Sequence, residues 1–318
     1  MAPPSPPRAA GVRLPFAGLP PRIVDWVEAE LGSQVIDAAN QVGGMSPGCA
    51  TRLLMADDSR SFLKAVGSGL NPRTPELFRH EIAVLSALKQ ASYRASLLAA
   101  YDDGDWVALL LQDVDGRHPD LSSPDDYVLV HDALRRQALE LTPSPYPEAA
   151  PFSSNVQKWV GRWQTDLAQD PARYLPPWAA VRFDDLVSRL TSLPDRFLGE
   201  TLCHLDARED NLLVRTDGTV VIVDWGMSTT GPIWLDELVL AISLADQDSF
   251  DHHVRALPQD AVTDLLIIFG GSQAWRAAQP DQPGLPTMND YCRDDARRLL
   301  AGAERRLLAG NGTAHRDQ

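Results

Sequence analysis

The period of apolar residues changes several times along the chain. Residues 23–31 (IVDWVEAEL) carry them at helical spacing. Residues 50–55 and 61–66 are short runs of β character separated by the turn residues Asp57 and Asp58, which predicts a hairpin. A helix is expected from Thr74 as N-cap, with Pro75 in the first helical position, Glu76 in the first turn and an apolar stripe of Phe78, Ile82 and Leu85. Residues 106–111 read as a further strand and 112–116 as a connector. Beyond it, helical spacing dominates at 127–141, 156–167, 178–193 and 287–309, interrupted by prolines. One exception stands inside that helical region: apolar runs at 212–215 and 219–224 are joined by Asp217-Gly218, a hairpin turn. The order is therefore a small β-containing part followed by a large helical part with one embedded hairpin, an α+β pattern.

Composition narrows the class. With 318 residues the chain has room for about two domains or lobes. The formal charge of −14 comes from 43 acidic and 29 basic side chains. It argues against nucleic acid, whose phosphates are held by clustered Lys and Arg. No run approaches the roughly 18 apolar residues of a membrane span, so no membrane partner is expected. Residues 1–21 hold seven prolines and no apolar h-region, and are read as a flexible tail rather than a signal peptide. The 3 cysteines, Cys49, Cys203 and Cys292, are widely spaced, which fits a reducing cytoplasm. Lysine occurs only at 64, 89 and 158, leaving few candidates for chemistry that needs an ammonium.

The 212–224 hairpin is bracketed by chemistry-bearing residues. Before it stands His204-Leu205-Asp206-Ala207-Arg208-Glu209-Asp210-Asn211, which spells H-x-D-x-x-x-x-N; after it stands Asp224-Trp225-Gly226. Phosphoryl transfer needs a carboxylate beside the acceptor hydroxyl and hard oxygen ligands for Mg²⁺ at the phosphates. Asp206, on a loop before the hairpin, can orient and deprotonate a hydroxyl. Asn211 and Asp224 flank the open end of the hairpin, where both can reach one metal cluster.

In this order, His204, Asp206, Asn211, Asp224 and Gly226 resemble the catalytic core of the aminoglycoside phosphotransferase and choline kinase group, relatives of protein kinases. The resemblance extends upstream: residues 61–66 (SFLKAV) are similar to the strand bearing a phosphate-binding lysine, and 79–85 (RHEIAVL) to the helix whose glutamate pairs with it. It implies a bilobal protein-kinase-like α+β fold, with a nucleotide-binding N-lobe over 22–111, a hinge at 112–116 and a C-lobe over 117–318. It further implies that Lys64 contacts the nucleotide phosphates and is held by Glu81, and that Gln112 and Val114 contribute at the hinge. Asp206 would be the catalytic base, Asn211 and Asp224 the Mg²⁺ ligands, and His204 and Asp236 supports of the catalytic loop. The glycine segment Gly43-Gly44-Met45-Ser46-Pro47-Gly48 departs from the protein-kinase G-x-G-x-x-G, so it does not distinguish ATP from GTP. Gly44, Ser46 and Gly48 would nonetheless cap the phosphates.

The expectation is an ATP- or GTP-dependent, Mg²⁺-assisted kinase for a hydroxyl of a small molecule. An antibiotic is the first choice of acceptor, which makes the protein a resistance or self-protection enzyme. A metabolic kinase for choline, homoserine or a sugar, nucleotidyl transfer, and a non-catalytic nucleotide-binding pseudokinase are the alternatives. Residues 1–111 hold 10 basic and 11 acidic side chains, against 19 and 32 in 112–318. The acidic excess thus falls in the part expected to bind the acceptor, which suits a cationic one.

Overall fold

The computed structural model describes residues 10–314, and of 310–314 the backbone only. In chain order its elements are α1 (Pro21–Leu31), β1 (Val35–Asn40), β2 (Cys49–Met55), β3 (Arg60–Gly67), α2 (Thr74–Ala87), β4 (Leu97–Asp102), β5 (Trp106–Gln112), α3 (Pro124–Glu140), α4 (Phe152–Thr165), α5 (Pro171–Tyr174), α6 (Pro177–Val181), α7 (Phe183–Leu190), β6 (Thr201–Cys203), β7 (Leu212–Val214), β8 (Val220–Ile222), β9 (Thr229–Gly231), α8 (Leu235–Ile242), α9 (Phe250–His253), α10 (Gln259–Ala277) and α11 (Met288–Ala314). Backbone compactness divides them into two units. One runs to Ala133 and takes in Asp206–Ser228 and Asp281–Met288; the other comprises Leu134–Leu205, Thr229–Pro280 and the chain from Asn289. The segment from Asp206 to Ser228 thus folds with the sheet and not with the helices that flank it in sequence.

The first unit is built on a five-stranded antiparallel sheet in the order β1-β2-β3-β5-β4. The turn between β2 and β3 is held by Asp57, whose Oδ1 accepts from the Ser59 N–H at 3.1 Å. Strand β3 lies between β2 and β5, so Lys64 is opposite Ala50 on one side and Leu109 on the other. The sheet packs Leu53, Met55, Leu63 and Leu110 against Ile23 and Val27 of α1. Each aliphatic side chain so buried contributes about 1.5–3 kcal/mol. Helix α1 stops at Gly32, whose φ of 66° supplies the left-handed turn that ends a helix.

Two departures from the sequence reading are local. The cap of α2 comes from further upstream than Thr74: the Asn71 Oδ1 accepts from the N–H groups of Arg73 at 2.9 Å and Thr74 at 3.0 Å. Residues 10–21, read as part of a flexible tail, are tied to the first unit. Ala10 N–H reaches Thr287 Oγ1, Val12 N–H reaches the Gly284 carbonyl, Leu14 N–H reaches the Gly48 carbonyl, and Leu19 is buried. Residues 1–9 lie outside the described part.

Helices and one short strand pair, β6 with β9, make up the second unit. Its core gathers Phe152 and Trp163 of α4, Leu238 of α8, Ile267 of α10 and Leu299 of α11. The Trp163 indole donates to the Ile268 carbonyl at 3.1 Å, and a Cβ on Gly271 would stand 2.3 Å from that ring, so a glycine is required there. The stretch 178–193, expected as one helix, is broken at Arg182 into α6 and α7 and is followed by the 3-10 turn Leu193–Phe197. No described helix is long and apolar enough to cross a membrane.

Candidate active site

The first unit brings three of the expected residues into one charge cluster. The Lys64 ammonium bonds the Glu81 Oε2 and, at 2.8 Å, the Asp224 Oδ1. Local structure explains the meeting. Lys64 is on β3 facing α2, and Glu81 replaces an apolar residue on the buried face of α2, between Phe78 and Val84. Asp224 follows β8 in the left-handed conformation, φ 66°, which starts the 3-10 turn Trp225–Met227. Gly226 permits close approach there: a Cβ would be 3.2 Å from the Leu77 carbonyl of α2. Glu81 is 1% exposed and its second oxygen accepts from the Trp225 N–H at 3.3 Å. Burial works to lower the Lys64 pKa, but the Asp224 and Glu81 carboxylates together outweigh it and hold it above its ordinary value. The Phe78 ring lies 4.9 Å from the ammonium and adds a cation–π contact.

A second group forms on the loop leading into the β7–β8 hairpin. Asn211, 3% exposed, donates from Nδ2 to the Asp206 carbonyl at 3.0 Å and to its Oδ2 at 2.8 Å. The amide nitrogen is thereby committed to Asp206, and its oxygen is the atom open to a cation. Arg208 grips both oxygens of Asp206, at 2.7 and 3.2 Å, and approaches Asp210 at 3.4 Å. Sequence reasoning passed over Arg208, although it stood in plain view between Asp206 and Asn211. Three bonds, two from Arg208 and one from Asn211, fix the direction of the Asp206 carboxylate. Burial raises the neighbouring Asp210 carboxyl above its ordinary range, with Arg208 opposing.

His204 and Asp236 meet in the second unit. The Asp236 carboxylate accepts from two successive backbone N–H groups, His204 at 2.8 Å and Leu205 at 2.9 Å. Leu205 is held with φ 65°, unfavourable for a residue with a Cβ, directly before Asp206 in the chain. Burial pushes the Asp236 carboxyl upward, against His204 and the two N–H groups.

The glycine segment enters β2 beside Lys64. Gly44 and Gly48 have φ of 88° and 119°, and a Cβ on Gly48 would stand 2.4 Å from the carbonyl of Ala65, the residue after Lys64. Gly48 is bound on both sides, its N–H to the Val12 carbonyl at 3.0 Å and its carbonyl to Leu14 N–H at 3.1 Å. Its role is therefore a close backbone crossing, and its amide is not open to a phosphate. Arg13 bonds the carbonyls of Gly43, Gly44 and Ser46. Nothing in the proline-rich sequence around Arg13 marked it. Gln112 and Val114 stand apart from the lysine cluster: Gln112 is three positions along β5 from Leu109, the partner of Lys64, which is about 10 Å. The Val114 carbonyl accepts from Arg52 at 2.6 Å.

Asn211 and Asp224 provide one amide and one carboxylate oxygen, the hard donors that suit Mg²⁺ when phosphate and water oxygens supply the rest. Among the described residues no three His, Cys, Asp or Glu side chains form a metal-holding group, so any such ion would depend on its ligand's oxygens.

Residues 50–280 match the sequence profile of the phosphotransferase enzyme family, denoted APH. The chain belongs to that family. Its members transfer phosphate to a hydroxyl group of a small molecule, so the chain is a phosphotransferase. No curated protein matches it in sequence. Solved structures with the same fold include choline kinase LicA from Streptococcus pneumoniae, 13% identical, which aligns over 89% of this chain and 98% of its own with a TM-score of 0.60. A thermostable mutant of aminoglycoside phosphotransferase APH(4)-Ia, in ternary complex with ADP and hygromycin B, is 11% identical over 91% of this chain and 98% of its own, TM-score 0.57. An aminoglycoside phosphotransferase from Alicyclobacillus acidocaldarius is 15% identical over 86% and 92%, TM-score 0.50. At these identities the likeness establishes the protein-kinase-like α+β fold of the phosphotransferase family.

Proposed function

We propose that this phosphotransferase uses ATP or GTP with Mg²⁺ to phosphorylate a hydroxyl of an antibiotic, as a resistance or self-protection enzyme in the cytoplasm. The observation that carries the catalytic part is the buried Lys64–Glu81–Asp224 cluster, in the same compact unit as Asp206 and Asn211. An ammonium this deeply buried is kept charged by two carboxylates and is a fixed positive centre for the phosphates. Glu81 sets its position from α2, and Asp224 is 32% exposed, open enough to share an oxygen with a cation. Asn211 and Asp224 would hold the Mg²⁺, which supplies neutralisation of phosphate charge when bound.

The chain's own residues account for the remaining steps. Asp206 accepts the hydrogen bond of the acceptor hydroxyl and takes its proton as the oxygen attacks the terminal phosphorus; the bond from that phosphorus to its bridging oxygen breaks, and the nucleoside diphosphate leaves with the electron pair. Arg208 and Asn211 fix the direction of its carboxylate, and Asp236, through the backbone of His204 and Leu205, holds the loop that carries it. Most of the rate enhancement then comes from positioning and preset charge. The antibiotic acceptor is supported by the relatives crystallised with hygromycin B and, in an APH(2")-IIa complex, with streptomycin and ATP. A choline-type metabolic kinase is the second reading, favoured by the fold shared with LicA. The cytoplasmic placement rests on three cysteines that are all buried and unpaired in disulfides.

The test is a turnover screen with Mg·ATP and Mg·GTP against aminoglycoside, nucleoside and peptide antibiotics, with choline and homoserine included, and mass spectrometry of each product. A gain of one phosphate on an antibiotic is expected. A gain of a nucleoside monophosphate, or no nucleotide consumption with any acceptor, overturns the proposal. In the active combination, Asp206→Asn is expected to lower kcat by at least about a hundredfold while nucleotide affinity stays within about twofold, and undiminished turnover removes Asp206 as the base.

A further inference from the structure

Arg13 is a half-buried cation, with no Asp or Glu paired to it among the described residues. Its guanidinium donates to three backbone carbonyls of the glycine segment: Ser46 at 2.5 Å, Gly44 at 3.0 Å, and Gly43. No Asp or Glu lies within ion-pair distance of it among the described residues, and its Nε is buried with no hydrogen-bond partner. Burial lowers its pKa, and the Asp224 carboxylate acts on it through space in the opposite direction, so the guanidinium shares an electrostatic environment with the lysine cluster.

Planarity of the peptide unit turns these contacts into an orientation. In a trans peptide the carbonyl and the following N–H point in opposite directions. With the Gly43 and Gly44 carbonyls drawn to the guanidinium, the N–H groups of Gly44 and Met45 must face away from it. Neither N–H has a hydrogen-bond partner among the described residues, and neither does the Ser46 hydroxyl. Gly44 is suited to this arrangement by its positive φ, and a Cβ there would stand 2.8 Å from the Arg13 guanidinium. The segment thus presents open donors on one side and a fixed positive charge behind them, the arrangement of an anion-binding nest.

We propose that Arg13 is a positioning residue of the nucleotide site: it holds the glycine segment so that the Gly44 and Met45 amides face the nucleotide phosphates, and its charge adds to the attraction. The inference rests on the nucleotide-dependent reading given above. It also gives the N-terminal segment a function, since Val12 and Leu14 pin Arg13 by backbone bonds to Gly284 and Gly48.

The test compares binding of Mg·ATP and of adenosine, which lacks phosphates, by calorimetry on the full-length chain and on Arg13→Met and Arg13→Lys. Loss of charge-assisted bonds corresponds to roughly 10–100-fold in affinity. Arg13→Met is expected to lose that factor for ATP with adenosine affinity unchanged. Arg13→Lys, which keeps the charge but cannot span three carbonyls, should recover part of it. Equal loss for both ligands makes Arg13 a merely structural residue and overturns the inference, as does an unchanged ATP affinity in a folded Arg13→Met protein. If Arg13→Met does not fold, Arg13→Lys with wild-type affinity for ATP overturns it. A wild-type chain that does not prefer ATP to adenosine brings down the nucleotide reading itself, and that result is separable because it precedes any variant.

Discussion

A lysine in the middle strand of a buried sheet is costly unless its charge is met, and at Lys64 it is met twice. Breaking such a pair by removing one member costs about 3–5 kcal/mol, because the remaining charge stays buried and unpaired. Lys64→Met leaves Glu81, 1% exposed, facing Asp224 without a cation between them. Its stability should fall by about that amount in urea unfolding, and adding Glu81→Gln should restore part of the loss. A single variant within about 1 kcal/mol of wild type would show that the cluster is not a closed ion network. The folded pKa of Lys64 lies above its ordinary value of 10.5. The stabilisation is therefore fully present below that pH and is lost only as pH climbs through the higher folded value.

Cys49 shows the opposite use of burial. Beside the glycine segment and 1% exposed, its thiol is pushed up by burial to about 12 from 9.0, with Arg13 opposing. Iodoacetamide at pH 8.5 should leave the Cys49 peptide unmodified in native protein and label it in urea, since native thiolate is about a thousandfold scarcer. Rapid native labelling would contradict the burial. The sign for stability follows: between about pH 9 and 12 the unfolded chain releases a proton that the folded chain keeps, so stability falls as pH rises.

At the scale of elements, what was legible depended on how local the cause was. The β2–β3 and β7–β8 hairpins were readable because Asp57, Asp58, Asp217 and Gly218 declare their turns within a few residues. The motif residues on and beside the second hairpin were readable for the same reason. Strand β1 (VIDAAN) is mostly exposed on both faces and gives no alternation to detect. Strands β6 and β9 have three residues each and exist through pairing with each other, 25 or more positions apart in the chain. Helix α10 is buried nearly all round, so it has no polar face to mark its period. The site divides likewise. The pairing of Lys64 with Glu81 was legible through the resemblance carried by residues 61–66 and 79–85, whereas Arg208 and Arg13 act through carboxylate and carbonyl contacts that spacing does not encode. For Arg13 the contacts span about 30 residues, from a proline-rich stretch that composition alone assigns to a tail.

For the whole molecule the informative quantity is charge, and it bears on the acceptor. The −14 is concentrated in residues 112–318, with 19 basic and 32 acidic side chains, while residues 1–111 are close to neutral. A near-neutral sheet region does not repel a polyanionic nucleotide, and an acidic remainder raises the local concentration of a cation. Attraction of this kind is screened over a Debye length of about 8 Å at physiological ionic strength. The proposed antibiotic acceptor is cationic if it is an aminoglycoside. Its kcat/KM should then fall severalfold between about 20 and 300 mM salt, mainly through KM, while the KM of Mg·ATP changes little. The measurement is a salt series with the acceptor that the turnover screen identifies. A flat acceptor profile would mean that the acidic excess serves solubility and that recognition is carried by hydrogen bonds and shape, moving the choice of acceptor away from polycations.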